Sequence, residues 1–285
     1  MQEVWLVTNA YLNQNSFAKM ARLFKDTAKE MNIRLIPKPN NGFIGDDSLN
    51  NHPEKALFFD KDLLLARRME IAGMRLFNSS KAIAACDDKA KTSLILLENG
   101  IPQPKTVMAP LTYPNIGYPN LDFLHQAADI LPFPMVVKET KGSFGQQVYL
   151  AHDMNELISI VTAVKTSELI FQEFIKESAG TDLRLYVVGN QVVASMKRIN
   201  TRGDFRANIE NGGTAVLYTP SEAEKELAVA ASRVCGTDFA GVDILQSRKG
   251  PLICEVNSNA HFLGLMDLTG INPARHILGM IKETP

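Results

Sequence analysis

An α+β fold, rich in antiparallel strands and headed by a small α/β unit, is what the sequence predicts. Three observations predict it. Residues 1 to about 80 alternate short apolar runs with a helical pattern, as a small α/β unit does. From Met135 onward, short apolar runs follow one another with turn residues between them. Among these, Val187-Val188-Gly189-Asn190-Gln191-Val192-Val193 reads as a hairpin with Gly-Asn as its two-residue turn.

The elements follow in order. Val4 to Val7 is a short apolar strand closed by Thr8-Asn9. Ser16 caps a helix whose apolar positions Phe17, Met20, Ala21, Phe24 and Ala28 recur at helical spacing. Ile33 to Ile36 is a second strand, stopped by Pro37 and Pro39, and Pro39 to Pro53, rich in Asn, Gly and Asp, is a loop. Asp87 and Asp88 open a helix that runs through Leu97 and stops at Asn99-Gly100, with Ile101-Pro102 as the exit. The proline-rich stretch Pro110 to Asn120 is an ordered loop rather than a linker. Strands are expected at Met135 to Val137, Val148 to Leu150, Leu169 to Phe174, Leu183 to Val188, Gln191 to Met196 and Ala215 to Leu217. Helices interrupt at Met154 to Thr166 and at Ser221 to Val234, the second opened by the capping box Ser221-Glu222-Ala223-Glu224. No internal repeat and no low-complexity tract is present.

Composition excludes several classes. A chain of 285 residues, 45% hydrophobic and 21% charged, has the apolar mass for a large core split over two or three packed subdomains, and global disorder is excluded. Thirty basic against thirty-one acidic residues leave a formal charge of −1, so no overall field draws the chain to nucleic acid or to an anionic membrane. Cys86, Cys235 and Cys254 are odd in number and far apart, which reads as reduced core thiols rather than a disulfide framework or a zinc site. The N-terminus lacks a basic segment leading into a long apolar stretch, and no apolar run approaches the ~20 residues a bilayer requires, so a cytoplasmic location is the default expectation.

Three constellations carry chemistry. Val136-Val137-Lys138 leads into Lys141-Gly142-Ser143-Phe144-Gly145, a glycine turn between strands. Such a turn lets backbone N–H groups approach phosphate oxygens with a lysine close by, although an isolated Gly-x-x-Gly is more often a plain tight turn. It is not a P-loop, since no Gly-Lys-Ser/Thr follows and the next segment is a strand. Asp243 and Glu255 lie on runs joined by the turn Arg248-Lys249-Gly250-Pro251, which places two carboxylates on adjacent strands with Asn257 just beyond. Mg²⁺ accepts such oxygens, and a polar sheet face toward solvent would show the same alternation. Asp182, Arg184, Lys197 and Arg198 precede a glycine- and charge-rich loop from Arg202 to Gly213, and Arg184 and Arg198 flank the hairpin turn so that both can face one groove. His261-Phe262 reads as packed or substrate-contacting, and no nucleophile-elbow motif is present.

In order along the chain, these pieces resemble the ATP-grasp superfamily and, within it, the RimK-type amino-acid ligases, over roughly Asp87 to Asn272. The resemblance is carried by Gln172-Glu173-Phe174-Ile175 through Asp182-Leu183-Arg184, by Phe205-Arg206-Ala207-Asn208, by Gly212-Gly213, by Gly241-Val242-Asp243 and by Glu255-Val256-Asn257-Ser258. It implies an ATP-grasp fold, two α+β subdomains clasping ATP (86–175 and 176–285), preceded by an α/β domain (1–85).

The resemblance also implies roles. Lys138, and more loosely Lys89, match the ATP-phosphate lysines, and Gly142, Ser143, Phe144 and Gly145 the glycine loop. Gln172, Glu173, Phe174 and Ile175 match the adenine hinge and Asp182 the ribose contact. Arg206 and Asn208 match phosphate and metal-proximal contacts. Asp243, Glu255 and Asn257 match ligands of Mg²⁺ or Mn²⁺, two ions in the family. Arg184, Arg198 and Arg206 are the expected catalytic cations.

The implied activity is carboxylate–amine ligation through an acyl phosphate, with release of ADP. It would attach L-glutamate or another amino acid to a peptide, protein or small amine, and the resemblance is compatible with a homo-oligomer. An amino-group carrier protein as partner, and a non-catalytic nucleotide-binding regulator, are the alternatives. Two departures stand out: Gln146-Gln147 replaces a further glycine after the phosphate loop, which should stiffen it, and Asn259-Ala260-His261-Phe262 follows Ser258 where the acceptor is expected. The first eighty residues match the family poorly.

Overall fold

The computed structural model describes residues 2–12, 15–113, 115–142, 145–164, 168–208 and 212–285, without the side chain of Asp46. Strand β1 (Gln2–Thr8) is buried from Val4 to Val7 on both faces. That is how a parallel strand reads when helices cover both sides of its sheet. Helix α1 (Asn15–Glu30) turns Met20, Phe24 and Ala28 onto one of those faces, and β2 (Ile33–Pro39) returns parallel to β1.

The expectation that Pro37 ends this strand is corrected: pairing continues to Thr8 opposite Pro39. The strand lies at the sheet edge, where a missing N–H donor leaves no neighbour unpaired. The expected loop from Pro39 to Pro53 carries two short 3₁₀ turns, Asn40–Gly42 and Asp46–Leu49. Beyond it come elements the sequence did not announce, β3 (Lys55–Phe59), α2 (Leu63–Ile71), β4 (Arg75–Phe77) and α3 (Ser80–Cys86).

This first sheet is parallel, in the order β2-β1-β3-β4. Leu65, Ala66 and Met69 of α2 pack on the face opposite α1, against Trp5, Val7 and Phe58. The chain therefore winds outward in two directions from β1, leaving a crevice at the carboxyl ends of β1 and β3.

Helix α4 (Lys89–Glu98) is capped by Asp88, whose side chain accepts from the N–H groups of Ala90 and Lys91, and it ends before Gly100 at φ 64°. Asp87 instead closes α3. Strands β5 (Thr106–Met108), β6 (Met135–Glu139), β7 (Val148–Ala151) and β8 (Leu169–Glu173) form an antiparallel sheet in the order β5-β8-β6-β7. Helices α5 (Asp122–Ile130) and α6 (Met154–Val164) cover one face, setting Leu124, Ala127, Leu157 and Val161 against Met135, Val137 and Phe171. The far end of the expected helix, at Thr166, lies outside the described residues. Because side chains alternate, Val136, Lys138 and Gln172 face the other way.

The third sheet is antiparallel, in the order β11-β10-β9-β12-β13, built from β9 (Thr181–Val188), β10 (Gln191–Asn200), β11 (Gly213–Leu217), β12 (Phe239–Ser247) and β13 (Gly250–Asn257). The β9–β10 hairpin turns at Gly189, φ 58°, as expected. Leu183, Leu185, Val187, Val242 and Ile244 pack on α7 (Glu222–Val234) and on Leu96 of α4. The capping box of α7 is formed, with Ser221 and Glu224 bonding each other's backbone N–H.

On the opposite face, Tyr186, Met196 and Phe239 share one core with α8 (Leu263–Thr269), α9 (Pro273–Glu283) and with Val4, Leu6 and Phe24. The first and third sheets are thus joined by continuous apolar packing. Among the described residues, no helix is long and apolar enough to cross a membrane.

Candidate active site

Pairing register builds the polar centre of the site. Within β9, β10 and β12, Asp182 stands opposite Arg198 and Arg184 opposite Asp243. Alternation puts all four on one face, in line with Tyr186 and Met196.

Arg198 clasps Asp182 through Nε and Nη2, 2.6 Å to each oxygen, and its Nη2 also lies 2.9 Å from Asp243 Oδ2. Arg184 clasps Asp243 through both Nε and Nη2, the latter at 2.8 Å. The four side chains are almost wholly buried. Two cations against two anions make the cluster neutral, which offsets the desolvation that would otherwise forbid it.

Burial alone would raise the Asp243 carboxyl. The guanidiniums of Arg184 and Arg198 more than reverse this and hold it below the usual carboxylate range. Asp182, with Arg198 as its ion-pair partner, is pushed up by burial. Burial would lower Arg198, but the two carboxylates hold it above its already high value.

Gly241 makes this geometry possible. It precedes Asp243 by two residues on the same face, and a Cβ there would stand 2.5 Å from Ala260 Cβ and 3.2 Å from Arg184 Cδ. The arginine side chain lies across the space a larger residue would fill.

Strand β13 is displaced by one residue opposite β12: Asp243 pairs with Glu255, and Ile244 with Ile253. Cys254 is the extra residue of this bulge. A bulge re-aims side chains, and here both Cys254 and Glu255 line the same cavity.

That cavity lies between the second and third sheets. Of the expected nucleotide residues it brings together Lys89, Lys138, Gly142, Gly145, Gln172, Glu173, Phe174, Ile175, Asp182, Arg206 and Asn208, with Arg198, Asp243 and Glu255. Ser143 and Phe144 lie outside the described residues, as does Asn211 of the second glycine stretch. Val136, Val148, Leu245 and Phe205 add apolar wall, a role that the sequence reading had not given them. The signal was present for two of them, since Val136 and Leu245 stand two residues from Lys138 and Asp243 and so share their faces.

Individual contacts refine the picture. Lys138 is buried, with Nζ 3.8 Å from Cys254 Sγ. Cys254 is thus part of the cavity wall and not a core thiol, a correction to the expectation, while Cys86 and Cys235 are buried and free. Burial pushes the Cys254 thiol up. Lys89 Nζ reaches Gly142 O at 3.2 Å and lies 3.9 Å from Glu255 Oε1, and burial lowers its pKa.

Arg206 is held by Asp204, with Nη2 to Oδ2 at 2.7 Å, and donates through Nη1 to Gly145 O at 2.7 Å. The two loops bordering the cavity therefore touch through one guanidinium. The glycine loop is also filled from within, since a Cβ on Gly142, φ 138°, would overlap Gln147 Oε1 at 2.3 Å.

Arg184 and Asn257 are not in this cavity. They line a second one, together with Lys61, Asp60, Phe17, Phe59, Asn259 and His261, and the two cavities share Arg198, Asn208 and Glu255. The N-terminal residues in this set were not singled out from sequence.

Residues 86–281 match the model of the RimK-like ATP-grasp domain. A protein of Legionella pneumophila strain Corby named "Probable alpha-L-glutamate ligase" is 38% identical over 219 residues, covering 76% of this chain and 70% of that protein. "Beta-citrylglutamate synthase B" of Mus musculus is 36% identical over 219 residues, 74% of this chain and 55% of that protein. The crystal structure of D-alanine–D-alanine ligase from Bacillus anthracis complexed with ATP superposes with a TM-score of 0.76 at 18% identity, over 100% of this chain and 97% of that one, a likeness of fold.

Proposed function

Because the chain belongs to the RimK-like ATP-grasp family and is an ATP-dependent, ADP-forming ligase, we propose that it joins L-glutamate by an amide bond to a peptide, protein or small-molecule partner. Glutamate is taken from the names of the relatives. The observation that carries the reading is the meeting of two cavities at Arg198, Asn208 and Glu255, one lined by the residues matched to nucleotide binding and the other open to substrates. Family membership displaces the reading of a non-catalytic nucleotide binder.

A carboxylate is a poor acyl donor at neutral pH. In this reading its oxygen attacks the γ-phosphorus of ATP, the bond to the β–γ bridging oxygen breaks, and ADP leaves with that electron pair. The amine nitrogen then attacks the acyl carbon, phosphate leaves with its bonding pair, and the nitrogen gives up a proton. Val136, Val148, Ile175 and Leu245 offer apolar surface to the base. Lys138, Lys89 and Arg206 would offset charge on the phosphoryl oxygens, and Arg198 and Arg184, paired as they are with Asp182 and Asp243, would be the cations nearest a substrate carboxylate. Water must be kept out, since it would hydrolyse the acyl phosphate. The contact of Arg206 with Gly145 O joins two segments that border the cavity.

The fit to Mg²⁺ rests on donor chemistry. Among the described residues no three His, Cys, Asp or Glu side chains cluster, so the candidate set is two carboxylates and an amide oxygen. Oxygen donors suit a hard cation. Glu255 borders both cavities, and the Asn257 amide donates only a 3.5 Å contact to Gly241 O, which leaves its oxygen available. Asp243 would have to share its oxygens with Arg184 and Arg198. Bound by Glu255, Asn257 and Asp243, the ion would neutralise phosphate charge.

Incubation with ATP, Mg²⁺, L-glutamate and a pool of carboxylate partners should yield ADP and a product heavier by one glutamate residue in mass spectrometry. Glu255→Ala should abolish both while leaving the melting temperature near that of the wild type. AMP in place of ADP, or full turnover by Glu255→Ala, would overturn the assignment.

A further inference from the structure

The second cavity holds chemistry that nucleotide binding and the arginine pair do not use. Asp60 directly follows β3 and Asn9 directly follows β1, so both stand at the carboxyl ends of the two strands from which the parallel sheet winds apart. Ligands of open parallel sheets settle in that crevice, where the departing helices leave it open. Asp60 is 7% exposed and lines the cavity that adjoins Glu255 and the arginines. Its Oδ1 accepts from the backbone N–H of Lys61 at 2.7 Å and from Asn9 Nδ2 at 3.2 Å, while Oδ2 has only a 3.4 Å contact from Asn9. The ammonium of the adjacent Lys61 is drawn to Asp87 Oδ1 at 2.5 Å.

Asn259 supplies the second half of the arrangement. Its Nδ2 donates to the backbone carbonyl of Asp60 at 2.6 Å, which fixes the orientation of the amide. Its Oδ1 is then buried with no hydrogen-bond partner among the described residues. A buried carbonyl oxygen without a donor is costly unless something satisfies it. Phe17 and Phe59 border the same cavity, with the ring of His261 4.3 Å from Phe17 and 6.2 Å from Phe59, centroid to centroid. A carboxylate, an orphaned carbonyl oxygen and aromatic faces all favour one kind of group, a cation bearing N–H donors.

We propose that Asp60, with Asn259, is the specificity-determining pair for the ammonium group of the amine-bearing substrate, which the parallel sheet of the N-terminal unit presents to the ligase centre. The inference rests on the reading of the chain as an amino-acid ligase and adds to it the residues that select the amino group. An ammonium must lose a proton before it attacks an acyl phosphate, and burial raises Asp60 above the ordinary carboxylate value, toward a better proton acceptor.

The test titrates the whole protein, loaded with a non-hydrolysable ATP analogue and Mg²⁺, with L-glutamate and with N-acetyl-L-glutamate, which carries the same carboxylates but no ammonium. The other proteinogenic L-amino acids and their N-acetyl forms follow as further probes. Wild type should bind at least one free amino acid tenfold or more tightly than its acetylated form. Asp60→Asn, which keeps an acceptor for the Lys61 N–H, should lose that discrimination while binding the ATP analogue as wild type does. Asn259→Leu should weaken the same ligand, with melting temperature checked alongside.

Equal binding of free and acetylated forms, unchanged discrimination in Asp60→Asn, or no free amino acid bound at all would overturn the pair. The choice of glutamate fails separately, if another amino acid alone binds and drives ADP formation.

Discussion

Asn78 bonds both polar ends of the Phe239 backbone: its Nδ2 donates to Phe239 O at 2.9 Å and its Oδ1 accepts from Phe239 N at 3.2 Å. The same amide also donates to Ser258 O at 2.7 Å and accepts from Asp238 N at 2.5 Å. Asn78 is fully buried, directly after β4, and its four bonds tie the first sheet to the start of β12 and to the segment that follows β13. It therefore fixes how the N-terminal unit sits against the strand that carries Asp243.

Asn78→Ala should be among the most damaging single changes in the chain. It leaves four backbone groups without partners, three of them buried and that of Asp238 half-buried, at about 1–3 kcal/mol for a buried group that stays unsatisfied, so several kcal/mol in sum. Asn78→Asp should be no milder, since a carboxylate would face the carbonyls of Phe239 and Ser258. Denaturant unfolding reads the loss, and a midpoint within error of wild type for either variant would contradict it.

The antiparallel strands and the turns between them were legible because they rest on local signals, whereas the pairing of the site residues was not. Carried on from the two turns, the register would set Cys254 opposite Asp243 and Lys197 opposite Asp182; a bulge in β13 and another in β10 put Glu255 and Arg198 there instead. Other features are tertiary. The run Lys55–Phe59 is buried at every position, so it shows no alternation to mark β3 as a strand. The bulge at Cys254 is one extra residue that no hydrophobic pattern reveals, and it moves a thiol from the expected core to the cavity wall. Asp60 acquires meaning only from strand order, because the crevice beside it exists once β3 lies on the far side of β1 from β2.

Gly241→Ala tests the space that Arg184 occupies. The added methyl would meet Ala260 Cβ at 2.5 Å, and such overpacking costs about 1–3 kcal/mol. Because Arg184 Cδ lies 3.2 Å from the same point, the clasp on Asp243 should shift and ADP formation should fall more than tenfold. Adding Ala260→Gly to that variant removes the closer clash. The double variant should recover stability ahead of activity, and no recovery in the unfolding midpoint would place the strain elsewhere.

Glu70 makes a pH-dependent cap. Its carboxylate accepts from Ser80 N at 2.7 Å and from Ser80 Oγ at 2.6 Å, binding the end of α2 to the start of α3. Burial would raise its pKa, but the bonds from Ser80 and the nearby Arg67 outweigh this and lower it from 4.5. A depressed folded-state value means the contribution is complete above the unfolded pKa and is lost as pH falls below it through the folded one. Glu70→Gln should therefore cost about 1 kcal/mol at neutral pH, and the difference from wild type should shrink in acid. A gap that is constant from pH 7 to pH 3 would rule out the carboxylate as its source.

The four-residue charge cluster sets apart the two arginines by what each leaves behind. Arg198 reaches both Asp182 and Asp243, whereas Arg184 reaches Asp243 alone. Removing Arg184 leaves Asp243 still paired with Arg198, but removing Arg198 strips Asp182 of its bidentate partner and exposes Asp243 to one cation in place of two. Breaking a buried pair from one side costs about 3–5 kcal/mol, so Arg198→Ala should destabilise by that order and Arg184→Ala by distinctly less. Arg198→Lys keeps the charge but not the fork that spans Asp182 and Asp243, so it should restore only part of the stability. Adding Asp182→Asn to Arg198→Ala should rescue part of the loss by discharging the orphaned carboxylate. Unfolding midpoints for the five proteins, wild type included, read the order directly, and an Arg184→Ala variant less stable than Arg198→Ala would reverse the assignment of Arg198 as the bridge.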